Sequence, residues 1–189
     1  SNKSQLRGFN NDNWKEIRLD INKDVNPDIE GTLTDMKLVK TGSVNAVYSS
    51  HNIEHIYPHE VPIALKEFYR VLKEDGIVVI TCPDLQSVCE AVVQDKLLQP
   101  LYESPAGPIS PIDIIYGYRK DLAKGNEHQA HKGGFTYSSL NTSFFEAGFK
   151  ARYGGRVKQG GEYNLFLVAF KQKIPEEEIK KIANPFFPT

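Results

Sequence analysis

The sequence predicts an α/β fold, on three observations. A β-branched and aromatic segment, "SVNAVYSS" (43–50), is followed by helical periodicity and then by the nearly all-apolar "GIVVITCP" (76–83). Strands divided by a helix in this way form a parallel unit with a right-handed crossover. A strand without polar alternation is one covered on both faces. Near the C-terminus, "KARYGGRV" and "YNLFLVAFKQ" are joined by "KQGGE", which predicts an antiparallel hairpin.

The elements follow in order. "EIRLDI" (16–21) alternates and ends at Asp20 before the turn-rich "NKDVNPD", so it reads as a strand; "DIEGTL" (28–33) is a shorter one. A helix is predicted over 61–74, with Ile63, Leu65, Phe68, Val71 and Leu72 along one side and Pro62 in its first turn. "LQSVCEAVVQDKL" is helical in period, whereas "QPLYESPAGPISP" (99–111) carries four of the eleven prolines and is expected to be irregular. "IDIIYGYRKDLAKG" predicts one helix, 125–136 a polar loop, and 137–149 a helix stopped by Gly148. "PEEEIKKIA" is a charged terminal helix beginning at Pro175, and "NPFFPT" an apolar tail that docks on a surface.

Composition narrows the function. The 189 residues suit one domain, with 40% hydrophobic and 25% charged residues. A formal net charge of −1 argues against a duplex nucleic-acid binder. No apolar run approaches the roughly 20 residues of a membrane span. Two cysteines, Cys82 and Cys89, make no disulfide framework, so a cytoplasmic location is expected.

"SSHNIEHIYPHE" (49–60) holds three of the five histidines. His51, Glu54 and His55 spell H-x-x-E-H, a zinc pattern that requires a continuous helix. Here it follows a strand directly and Pro58 comes soon after. A strand-end loop, where open α/β sheets bind ligands, is therefore expected in place of a metal site. A zinc hydrolase is the remote alternative.

The series "RLDI", "PDIEGTLTD", "SVNAVYSSHNIEHI" and "ALKEFYRVLKEDGIVVITCPDL" resembles the class I S-adenosylmethionine-dependent methyltransferases, nearest to small bacterial, type 11-like members. In these the helix after the histidine segment carries "R-V-L-K-x-x-G", matched by Arg70 to Lys73 and Gly76. The resemblance covers about residues 1–170, and "YESPAGPI", "DIIYG" and "HKGGFT" share it. It implies a doubly wound, mostly parallel seven-stranded Rossmann-like sheet with an antiparallel last strand. Residues 1–172 would form the domain, with 86–136 as an acceptor-recognition or lid insert, and 173–189 a terminal helix and tail.

The resemblance also implies S-adenosylmethionine as cofactor. Asp20, with Ile21 beside it, matches the acidic residue that accepts from the ribose hydroxyls, a task suited to a carboxylate. Asp35 and Met36 match the position near the adenine. Ser49, Ser50 and His51 match the loop beside the methionine portion. Proton removal from the acceptor needs a base within hydrogen-bond reach. Candidates are His131, which "HKGGF" sets beside two glycines, and His51 and His55, with Glu103 and Tyr116 as further ones.

The family's glycine-rich turn after its first strand is not found. The chain opens "SNKSQLRGFNND", which resembles the stretch that follows that turn, so the first strand and turn are expected to be missing from the chain. A sheet without its central strand leaves backbone groups unpaired, so weak cofactor binding, or filling of the gap by another segment or subunit, is expected. Transfer of a methyl group to an oxygen or nitrogen of a small-molecule or glycan acceptor is the predicted function. A non-catalytic binding or assembly module of the same fold is the alternative. The aromatic, proline-containing insert serves either as a wall over a small molecule or as a homodimer segment. No nucleic-acid or membrane partner is expected.

Overall fold

The computed structural model describes residues 8–159 and 161–187. The prediction for Ser1, Asn2 and Lys3 lies outside the described residues, as do the last two residues of the tail. The strands are β1 (Leu19–Asp20), β2 (Ile29–Glu30), β3 (Val44–Ser50), β4 (Leu72–Pro83), β5 (Tyr102–Ser104), β6 (Gly107–Ile109), β7 (Ala151–Gln159) and β8 (Glu162–Phe170). The helices are α1 (Val61–Val71), α2 (Leu85–Val93), α3 (Pro111–Tyr116), α4 (Arg119–Leu122), α5 (Tyr137–Glu146) and α6 (Glu176–Ala183).

A four-stranded sheet of order β3-β4-β8-β7 forms the centre. β3 and β4 are parallel and joined through α1, as predicted, while β8 runs antiparallel to both β4 and β7. β4 is apolar on both faces for a visible reason. Val78, Ile80 and Cys82 pack with Leu65 and Phe68 of α1 and with Leu140 and Phe144 of α5. Ile77 and Val79 pack on the opposite face with Ile179 and Ala183 of α6, Phe9 and Phe186. The period-2 geometry of a strand divides one apolar run between two cores. Phe186 docks the terminal tail, its ring 4.8 Å from that of Phe9.

β1 and β2 form a separate parallel pair. The continuous sheet implied by the resemblance is thus divided. β3 is hydrogen-bonded to β4 alone, and among the described residues no strand lies between it and the β1–β2 pair.

Three predicted elements differ. α1 ends at Val71, because Leu72 turns to extended backbone and enters β4 opposite Val44; Ile63 on that helix is 48% exposed and lies outside the core. The proline-rich 99–111 contains a regular hairpin, β5–β6. Gly107 takes φ +118° there, and Pro108 faces Glu103 in a two-stranded ribbon whose edges need no donor. The single helix expected over 112–125 is broken at Gly117, φ +100°, into α3 and α4.

Leu167 of β8 is fully buried in the core under α1 and α5. Leu167→Ala is expected to lower unfolding stability by about 2–5 kcal/mol, the usual cost of a large-to-small core change. The urea midpoint would measure it.

Candidate functional site

A hollow of about 1000 Å³ opens where β1, β3 and β4 end at their carboxyl termini. Its walls include Asp20, Ser49, His51 and Pro83, with Leu19, Ile29 and Val47 between the divided sheets. The insert supplies the facing wall through Tyr102, Ile109, Asp113, Ile114 and Tyr118. Its volume is at the upper end for small-molecule sites.

Asp20 and Ile21 line this hollow, and Asp20 Oδ1 accepts the Asn22 N–H at 2.8 Å. Oδ2 has no partner among the described residues and is free to accept from a ligand. Met36 also lines it, held by two backbone bonds to α1: its N–H donates to Glu67 Oε2 (2.8 Å), and its carbonyl accepts from Arg70 Nη2 (2.9 Å). Arg70 Nη1 donates to the Val39 carbonyl as well. Asp35 is different. It lies outside the hollow, exposed and paired with Lys37 at 2.9 Å, which holds its carboxyl below the usual range. Ser49 is buried in the wall, while Ser50, on the other side of the strand, does not line it.

His51 follows β3 with φ +52°, a left-handed conformation rare for a residue with a Cβ. This turns the chain sharply into the 3-10 turn Ile53–His55. Crowding by the walls lowers the His51 pKa, but Glu54 outweighs that and raises it above the ordinary histidine value. Its Nδ1 is 3.3 Å from Glu54 Oε1.

His55 and His131, far apart in sequence, meet with ring centroids 4.8 Å apart. The join is made by backbone: the Glu54 carbonyl accepts the N–H groups of Lys132 (2.8 Å) and Gly133 (3.0 Å). The three histidines proposed from the sequence thus lie at one place. Glu103 and Tyr116 do not line the hollow, and Tyr116 is 62% exposed.

Two lining residues of the insert carry polar groups: Tyr102, which belongs to the aromatic wall expected there, and Asp113, which the sequence reading missed. Tyr102 is pushed up to about 12, first by burial and then by Glu162 and Asp113, so its hydroxyl remains a donor at any ordinary pH. Asp113 is buried and gripped by Arg119, Nε to Oδ1 at 2.6 Å and Nη2 to Oδ2 at 3.1 Å. Burial raises its pKa, but Arg119 and the Ser110 N–H prevail and hold it low. The only sequence signal was "SPID", in which Asp113 caps α3 by accepting from the Ser110 N–H.

A hollow at the carboxyl ends of parallel strands, with a carboxylate ending one strand and a serine–histidine corner ending another, lies where open α/β folds bind their ligands. Residues 9–80 match a family model described as a methyltransferase domain. Among solved structures, a protein from Pyrococcus horikoshii OT3 superposes with a TM-score of 0.52 at 14% identity, covering 82% of this chain and 70% of that one. A SAM-dependent methyltransferase from Methanosarcina mazei gives 0.50 at 12% identity, covering 82% and 81%. The Burkholderia thailandensis 1,6-didemethyltoxoflavin-N1-methyltransferase, with S-adenosylhomocysteine bound, gives 0.49 at 14%, covering 82% and 60%. No curated protein matches. The chain spans 32–63% of the length of four other matched structures. Part of the chain thus matches a methyltransferase domain, and its fold is shared with these solved structures. Among the described residues, no helix is long and apolar enough to cross a membrane.

Gly117 keeps the His131 loop in place. A Cβ there would lie 2.1 Å from the Gln129 carbonyl oxygen, and φ +100° disfavours any side chain. Gly117→Ala is expected to lower the melting temperature, by the equivalent of about 1–3 kcal/mol of backbone strain. Differential scanning calorimetry checks it.

Proposed function

We propose that this chain transfers the methyl group of S-adenosylmethionine to an oxygen or nitrogen of a small-molecule or glycan-type acceptor. The single observation behind this is that Asp20 and His51 share one hollow. The residues fit the cofactor. Asp20 offers a carboxylate oxygen, unpartnered among the described residues, to the ribose hydroxyls, Met36 an apolar face to the adenine, and Ser49 and His51 polar groups at the methionine end. The cofactor supplies, when bound, a methyl group already activated on a sulfonium sulfur.

The chain's own task is to orient the acceptor and take its proton. The acceptor lone pair forms the new bond to the methyl carbon as the carbon–sulfur bond breaks, with its electron pair going to sulfur. The acceptor's proton passes to His51, the histidine nearest solvent in this corner, its side chain 43% exposed. Tyr102, on the insert wall, suits donating a hydrogen bond to a polar acceptor, whereas the Tyr118 hydroxyl already donates to the Ala106 carbonyl at 2.6 Å and is left only to accept. The division of the sheet beside β3 favours the second reading, a binding module that holds ligand without turnover.

Isothermal titration with S-adenosylhomocysteine tests the first reading. Asp20→Ala is expected to weaken binding 10-fold or more, since a hydrogen bond to a charged group contributes about 1.5–3 kcal/mol. Asp35→Ala is expected to leave it unchanged. Equal effects would return Asp35 to the site, and no binding by the unaltered chain would remove the proposal. With an acceptor in hand, His51→Ala should cut turnover by about 10²–10⁴-fold. Binding with no turnover on any acceptor would select the module.

A further inference from the structure

The most unusual group in the hollow is Glu54. It is 1% exposed, and among the described residues neither carboxylate oxygen has a hydrogen-bond partner. His51 approaches Oε1 at 3.3 Å without hydrogen-bond alignment, and among the described residues no lysine or arginine pairs with Glu54. A buried carboxylate left this way is costly unless something cationic satisfies it.

Two imidazoles stand beside it. One ligand atom from each of Glu54, His55 and His131 can be chosen so that all lie within 4.8 Å of one another. Both rings are already oriented. His55 Nδ1 is 3.1 Å from the Ala130 carbonyl oxygen, and His131 Nδ1 is 2.6 Å from that of Ile114. A carbonyl only accepts, so each Nδ1 carries the hydrogen and each neutral ring keeps its lone pair on Nε2. A backbone carbonyl fixing the tautomer is the usual support behind a metal-ligating histidine.

We propose that Glu54, His55 and His131 bind a divalent transition-metal ion with open coordination positions toward the hollow. This set differs from the H-x-x-E-H pattern. It omits His51, takes a ligand from a loop 76 positions beyond His55 (131 − 55 = 76), and needs no helix. Two nitrogens and one oxygen favour zinc, iron(II), cobalt, nickel or manganese over calcium or magnesium. Three protein ligands leave room for water or substrate oxygen. The three ligand atoms, at most 4.8 Å apart, draw together on binding to the about 3.3 Å separation of ligands in a tetrahedral site. Resting on the methyl-transfer reading, the open position takes an acceptor hydroxyl, and the ion promotes loss of its proton to His51, as metal coordination promotes ionisation of bound water. That makes the acceptor a hydroxyl-bearing, metal-coordinating molecule.

The metal-free 189-residue chain is titrated with Co²⁺ and followed by visible absorption, with S-adenosylhomocysteine affinity measured in parallel by calorimetry. One Co²⁺ per chain is expected, with ligand-field bands. Glu54→Gln and His131→Asn should each weaken it by more than about 100-fold. Asparagine can still donate to the Ile114 carbonyl, which spares the loop, and far-ultraviolet circular dichroism confirms the fold. His51→Ala and His128→Ala should bind Co²⁺ as the unaltered chain does. No Co²⁺ binding by the folded, unaltered chain overturns the site. So does unchanged binding by folded His131→Asn, or loss of binding in His51→Ala, which would return the ligands to the H-x-x-E-H set. Should Glu54→Gln or His131→Asn not fold, His55→Asn decides, on the same criterion. Absent S-adenosylhomocysteine binding with Co²⁺ binding intact removes the methyl-transfer reading and leaves the metal site standing.

Discussion

The pairing of β4 on both its edges governs this molecule. β3 lies along one edge and β8 along the other, and each face of β4 belongs to a different core. Because those side chains are inaccessible, a slip of one residue would exchange the two cores, so the register is tightly specified. The register in turn sets where β3 stops: Ser50 pairs with Thr81, and the His51 N–H donates to the Thr81 carbonyl at 2.9 Å. The position of the histidine corner is therefore fixed in part by the packing of β4, a strand well downstream of it in the chain.

The second requirement is that a distant loop reach that corner. The Glu54 carbonyl supplies it by accepting two N–H groups from 132–133, and the rest of the insert is braced by charge. Asp84 caps α2 through the Gln86 N–H and accepts from Ser87 and from Arg156 of β7. Asp113 caps α3 and is clasped by Arg119. Each of these buried carboxylates is fully served by donors, which is the ordinary condition of buried charge. Glu54 is the exception: among the described residues no donor serves its oxygens, and only the His51 ring approaches, at 3.3 Å.

Much of this was legible beforehand, and the reasons are physical. The β3–α1–β4 unit and the β7–β8 hairpin announce themselves because their apolar residues must repeat with the period of the element. Arg70 was readable as part of "RVLK", although only coordinates reveal that it anchors the loop carrying Met36. The β5–β6 hairpin was hidden, since prolines at turn and edge positions look the same in sequence as prolines that forbid structure. Asp35 and Ser50 resembled their neighbours in pattern, yet alternation along a strand or a local partner such as Lys37 carries a side chain away from a shared space. His131 was placed near the crevice by its glycines, but its contact with His55 depends on tertiary closure that no local signal encodes.

The backbone at His51 has an implication for how this protein can vary. With φ +52°, the position tolerates glycine, asparagine and aspartate beside histidine, and penalises valine, isoleucine or threonine whatever they might contribute chemically. Evolutionary drift at the mouth of the hollow is thereby confined to a small part of the amino-acid alphabet, and the confinement comes from chain geometry before any demand of chemistry is applied.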